Sequence, residues 1–234
     1  MYKYEMHAHT HPCSGGGGDI IEHIDCLMEK GFSGMVITNH FYRGDTCIPR
    51  SLPWEKFVLP YAEDFFLGKK YAEGKDFDLL FGIEEHIAGG REILVYGITP
   101  AFLCDHPELK NADLKQYAEA VHRVGGMLFQ AHPYRIREWI IDPTPFAEVG
   151  ILDGIEVYNG GNAYEENALA EAFAKEKGLR GIAGSDVHQS SHAGIGGICS
   201  KVRIRDNETL RKVLKSGEYT LYQDEQRRKM RKGE

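Results

Sequence analysis

The 234-residue sequence has no C-x-x-C pair, no internal repeat, no excess of basic charge, and no apolar stretch of the roughly 18 residues that a membrane span needs. Its five cysteines, Cys13, Cys26, Cys47, Cys104 and Cys199, are odd in number and scattered, which argues against a disulfide scaffold and fits reduced thiols in a cytoplasmic protein. The first residues, Met1 to Glu5, are charged and run directly into a patterned strand, so neither a secretory leader nor contact with a membrane is expected. A formal charge of -7 argues against a chain built mainly to hold nucleic acid, which would show a basic stripe. That sum omits bound cations, and carboxylates gathered around divalent ions make a chain look more acidic than the working protein. Low complexity is confined to Gly15–Gly18, either a loop that passes close to a ligand or a plain connection.

What is present is ordinary in bulk: 42% apolar and 27% charged residues, in a length that suits one well-cored domain. We expect a single domain over 1–222 and a basic, solvated tail over 223–234 that carries QRRKMRKG. Short apolar runs read as buried strands at Tyr2–Met6, Met35–Thr38, Leu79–Ile83, Ile93–Ile98, Met127–Gln130, Gly154–Tyr158 and Leu179–Ala183. Helical spacing lies between most of them. Asp19–Lys30 places Ile20, Ile24 and Leu27 near one face, with Asp19 as N-cap and Gly31 as stop. Asp113–Val124 and Asn162–Glu176 repeat the pattern. Trp54–Tyr71 reads as a helix that packs Phe57, Tyr61 and Phe65 on the core, and the segment Phe41–Pro53 before it is long enough to cover a substrate. Alternating strands and helices predict an α/β fold with right-handed crossovers and a parallel sheet, closed as a barrel.

In parallel α/β folds the chemistry sits at the carboxyl ends of the strands. There the sequence places His7 and His9, then Asn39 and His40, Glu84 and Glu85, His132, Asn159, and finally Asp186 and His188. His7-x-His9 and Asp186-x-His188 each put two ligand-type side chains on the same side of a strand end. Alone, each group has a plain structural reading: a buried hydrogen-bonded histidine, an aspartate cap, a surface salt bridge. Together, His7, His9, His40, Glu84, His132, Asp186 and His188 would place ionisable groups at one rim, at a cost of several kcal/mol per unpartnered charge, which coordinated divalent ions offset. Mixed imidazole and carboxylate donors accept Zn, Mn or Fe.

Five motifs, MHAHTH at 6–11, VITNH at 36–40, GIE at 82–84, AHP at 131–133 and GSDVH at 184–188, occur in an order that resembles the PHP (polymerase and histidinol phosphatase) superfamily of metal-dependent phosphoesterases. The resemblance implies a distorted (β/α)7 TIM-like barrel with two or three divalent ions at its carboxyl rim. It implies one ion on His7, His9, Glu84 and Asp186, and a second, bridged by Glu84, on His132 and position 92. The family commonly has histidine at that position; here it is Glu92. The third would take His40, His188 and a residue near position 15, which here is Gly15, so that His11, Asp19 or water would complete it. Asn39 stands where the family has aspartate.

The resemblance implies a phosphoesterase that hydrolyses a small phosphorylated substrate, histidinol-phosphatase-like or a nucleotide, by a metal-activated water. Asp186, Glu84 and His188 are expected to carry catalysis. Arg135, three residues after His132, and Arg43, three after His40, are the candidates to bind phosphate, since an arginine fork matches phosphate bidentately. Two other readings stay open: hydrolysis of an amide or lactone by the same metals, and a nuclease or nucleic-acid-associated module. The sequence sets no oligomeric state.

Overall fold

In a computed structural model, residues 1–12, 17–146 and 150–224 are described. Gly15 and nearly all of the basic tail, residues 225–234, lie outside them. The described strands are β1 (Tyr2–Ala8), β2 (Gly34–Ile37), β3 (Asp78–Ala88), β4 (Arg91–Tyr96), β5 (Met127–Gln130), β6 (Gly154–Asn159), β7 (Arg180–Gly184), β8 (Gly196–Ser200) and β9 (Tyr219–Gln223). The helices are α1 (Ile20–Glu29), α2 (Trp54–Tyr61), α3 (Glu63–Tyr71), α4 (Pro100–Asp105), α5 (Leu114–Arg123), α6 (Tyr164–Lys177) and α7 (Asn207–Ser216).

The strands form one sheet in the order β7-β6-β5-β4-β3-β2-β1-β8-β9. It curls until β7 meets β1: the His9 amide donates to Val187 O at 2.7 Å and the Val187 amide to His7 O at 3.1 Å. The result is a nearly closed, barrel-shaped α/β architecture. Its sheet is mixed rather than parallel. Pairings β1–β2, β2–β3, β5–β6 and β6–β7 are parallel, whereas β3–β4, β4–β5, β1–β8 and β8–β9 are antiparallel. The physical reason lies at Gly89 and Gly90, both at positive φ (64° and 82°), which close a two-residue hairpin too short for a crossover helix. Strand β4 therefore begins at the rim where β3 leaves it.

Local signals account for most helices. Asp19 Oδ1 accepts from the Ile21 and Glu22 amides, Ile20, Ile24 and Leu27 are buried, and Gly31 takes φ 72° just past the end. Asp113 and Gln116 form a capping box at α5. The single helix expected over 54–71 is two, α2 and α3, parted at Ala62. Pro60 has no N–H to continue the ladder, which is why the turn weakens there. Phe57 and Tyr61 are buried as expected, and Phe65 is partly buried against the same core.

Alternation along β3 separates two neighbouring carboxylates. Glu84 follows Leu80 and Gly82 on one face; Glu85 follows Phe81 and Ile83 on the other. Glu84 and Glu85 are both buried but enter different surroundings.

Candidate metal centre

The residues picked from the strand ends converge. Glu84 is at the centre: His7 Nε2 lies 3.2 Å and His132 Nε2 2.9 Å from its Oε1, while His40 Nδ1 lies 2.9 Å and His9 Nε2 3.5 Å from its Oε2. Asp186 Oδ1 is 3.1 Å from His9 Nε2, 3.6 Å from His7 Nε2 and 3.5 Å from His188 Nδ1. Glu92 joins from the start of β4, with Oε1 3.6 Å from His40 Nδ1 and Oε2 3.3 Å from His132 Nε2. Four overlapping groups each gather donor atoms within 4.8 Å of one another: His7/Glu84/His132, His7/His9/Asp186, His40/Glu84/Glu92 and His9/His40/His188. The last differs from the sequence-level partition, since His9 stands with His40 and His188. Asp19 is occupied in capping α1, and His11 is exposed.

Burial is uneven across the cluster. His7 and His9 are fully enclosed and Glu84 is 1% exposed, whereas the side chains of His40, Glu92 and His188 are 14%, 13% and 29% exposed. The cluster thus has a dry floor and an open side. Burial opposes charge on Glu84, but His7 and His40 outweigh it and hold its carboxyl well below the usual range. Burial likewise opposes charge on Asp186, and Arg135 and His7 hold it well below its ordinary value. Burial opposes the cation at His7, yet Glu156, Glu84 and Asp186 raise it well above the usual imidazole value. Burial, aided by the neighbouring His40, drives His9 the other way.

Two of these buried atoms make no hydrogen bond among the described residues: Nε2 of His7 and Oε2 of Glu84. Both face the shared space, with further donor atoms about them. Nitrogen and oxygen donor atoms converging in a dry pocket suit divalent cations of the zinc, manganese or iron kind. The residues present therefore fit such ions.

The backbone is bent for this convergence. His132 at φ 29° and Asp186 at φ 58° occupy left-handed conformations rare outside glycine, as does Tyr134 at 66°. Pro133 does follow a strand end, as anticipated. Arg135 points into the cluster: Nη2 donates to Asp186 Oδ2 at 2.6 Å and to Asn159 Oδ1 at 2.7 Å, and Nε to Asn162 Oδ1 at 2.7 Å. Arg43 is placed elsewhere. Its Nη1 donates to Ala112 O and its backbone amide to Glu85 Oε1, on the opposite face of β3 from Glu84. Asn39 Oδ1 accepts from the Thr10 amide at 2.6 Å and so ties the second strand's end to the segment after His9.

Three further residues support the cluster from behind: Glu156, Glu5 and Asn159. Glu156 Oε1 lies 3.0 Å from His7 Nδ1, and its Oε2 accepts from the His132 amide at 2.9 Å and from Asn159 Nδ2 at 2.8 Å. Glu5 accepts from the amides of Met6, His7 and Ser185 and from the Ser185 hydroxyl. The available signal was a carboxylate inside an apolar strand, GIEVY and YEMH. Asn159 carries only its place at a strand end as a signal.

A family model described as PHP-associated matches residues 164–219. No curated protein sequence matches the chain. Among solved structures, this chain is similar to a two-domain protein from Bacteroides vulgatus containing a predicted PHP-like metal-dependent phosphoesterase, at TM-score 0.69 and 18% identity, over 96% of this chain and 65% of that one. It is also similar to an amidohydrolase from Chromobacterium violaceum with bound sulfate (0.56, 17%, 79% and 87%) and to the lesion-specific endonuclease EndoQ from Pyrococcus furiosus (0.56, 11%, 94% and 57%). The chain spans less than two thirds of the Bacteroides and Pyrococcus proteins. At these identities the likeness is one of fold. Among the described residues no helix is long and apolar enough to cross a membrane.

Proposed function

We propose that this chain is a metal-dependent hydrolase that cleaves small phosphomonoesters. The observation that carries the reading is the Arg135 guanidinium set against Asp186 beside a carboxylate-imidazole cluster with open space on one side. His7, His9, His40, Glu84, Glu92, His132, Asp186 and His188 would hold two or three ions of zinc, manganese or iron. Such ions supply Lewis acidity, a more acidic water and charge to balance phosphoryl oxygens. The chain's own contributions are separable from that chemistry. Glu84, touched by four imidazoles, sets the spacing of the whole cluster, and Asp186 links His9 and His188 to Arg135. Arg135 offers a planar cation to a phosphate on the exposed side.

A phosphomonoester fits better than a polynucleotide because the chain is acidic and shows no basic stripe. The amidohydrolase neighbour was found with sulfate, a tetrahedral dianion, bound and without metal. Scattered free thiols at Cys26, Cys47, Cys104 and Cys199 support a reducing, cytoplasmic setting. The test is a panel of phosphate monoesters, diesters, amides and lactones, run on protein whose metal content is measured in the same sample. Release of inorganic phosphate that disappears in Asp186→Ala supports the proposal; turnover confined to carbon esters or amides overturns it.

A further inference from the structure

Glu156 is a carboxylate at the middle of an apolar strand, 1% exposed, and its two oxygens meet groups from three parts of the chain. Oε1 faces His7 Nδ1 across the barrel, from β1; Oε2 takes the amide of His132, just beyond β5, and the side-chain amide of Asn159 at the end of its own strand. A buried carboxylate costs several kcal/mol unless its oxygens are well bonded, and an apolar residue of similar size would fill the space. Packing alone therefore does not account for a glutamate here.

We propose that Glu156 is the positioning residue of the metal centre: it fixes the tautomer of His7 and the bent backbone of His132 so that both present Nε2 to Glu84. By accepting from Nδ1, it places the proton there and leaves the lone pair of Nε2 free for an ion shared with Glu84 Oε1, 3.2 Å away. By accepting from the His132 amide, it supports a residue held at φ 29°, whose Nε2 then reaches the same Oε1 at 2.9 Å. Through Asn159, whose Oδ1 accepts from Arg135 Nη2, one side chain couples the imidazoles on the floor to the arginine at the rim. The inference rests on the metal reading but not on the bond that is hydrolysed.

The test uses Glu156→Gln and Glu156→Asp in the full chain, with zinc as the probe. Glutamine keeps the volume but can accept from His7 or from the His132 and Asn159 amides, not from both sides. Zinc affinity is measured by competition with a chromogenic chelator, folding of the metal-free protein by circular dichroism, and His7 by two-bond imidazole 15N correlations of the zinc-loaded protein. The expected result is a variant that folds, loses about 10–100-fold in zinc affinity and loses the wild-type Nδ1–H signature of His7. A folded variant that keeps its zinc affinity to within about tenfold overturns the role. So does failure of both variants to fold, which would make Glu156 a residue of the fold. Wild-type protein that binds no zinc, manganese or iron sinks the metal reading itself, an outcome distinct from either.

Discussion

Arg135 Nη2 and Asp186 Oδ2 stand 2.6 Å apart, while the other oxygen of Asp186 faces His9 and His188. One carboxylate thus divides its charge between an arginine and the imidazole cluster. Its two sides are not equivalent: Oδ1 lies among the imidazoles, and Oδ2 holds the guanidinium.

Arg135→Lys retains the charge but loses the fork that spans Asp186, Asn159 and Asn162. We expect kcat/KM for phosphomonoesters to fall by about tenfold, equivalent to about 1.4 kcal/mol, with metal stoichiometry unchanged. Arg135→Ala should cost more, because it leaves Asp186 buried without its cation. Steady-state kinetics with parallel metal analysis decides this; an unaltered KM and kcat in both variants would remove Arg135 from substrate binding.

How much of this site could be read beforehand follows from where each side chain leaves the backbone. His7, His40, Glu84, His132 and Asp186 follow apolar runs, and parallel neighbours bring such ends to one rim. Glu92 was reached only through the family resemblance. It arrives at the rim because the Gly89–Gly90 hairpin turns β4 back, and a parallel-sheet expectation has no place for that turn. Glu156 stayed hidden because it leaves from mid-strand and its imidazole partner is 149 residues away. Strands β8 (GGICS) and β9 (YTLYQ) were missed since neither shows a clean apolar run, one opening on two glycines and the other half exposed. The break at Ala62 needed more weight on Pro60 than the amphipathic pattern of 54–71 suggested.

Removal of the ions should both inactivate and destabilise the protein. A ligand at a hundred times its Kd stabilises the native state by about 2.7 kcal/mol, which for a chain of this size is roughly 5–10 °C in Tm. Binding should also release protons. Burial opposes charge on His40, but Glu84 and Glu92 outweigh it and lift its pKa to about 9, so near neutral pH the metal-free side chain carries a proton that an ion must displace. Affinity is therefore expected to strengthen as pH rises toward about 9. Calorimetric titration with zinc in two buffers of different ionisation enthalpy reads the proton count directly; no buffer dependence would contradict it.

Glu85 gives a separate dependence on pH. Burial pushes its carboxyl from 4.5 to about 7, against a partial lowering by Arg43. The folded value lies above the unfolded one, so this contribution to stability is fully present below about 4.5 and is lost as pH rises through about 7. Glutamine can still accept from the Arg43 and His86 amides that Oε1 now serves. Metal-free Glu85→Gln should therefore lose roughly 3 kcal/mol less than the wild type across that window. Urea unfolding of both proteins at either end of the window measures it, and parallel curves would refute the assignment.

Closure of the barrel makes a last prediction at Gly184. A Cβ added there would sit 2.4 Å from the Cβ of His7 and 2.8 Å from Glu156 Oε1. The first neighbour is anchored to β1 and cannot swing aside, so either β7 withdraws from β1 or the His7 ring leaves Glu84. Overpacking of this kind costs about 1–3 kcal/mol, or roughly 2–12 °C in Tm. Unlike a core substitution elsewhere, it should also weaken zinc binding, because the displaced group is a candidate ligand. Gly150→Ala is the comparison, its Cβ meeting nothing within 4 Å among the described residues. If Gly184→Ala lowers Tm yet binds zinc as tightly as the Gly150→Ala protein, then His7 does not hold an ion in the manner its contacts with Glu84 and Glu156 suggest.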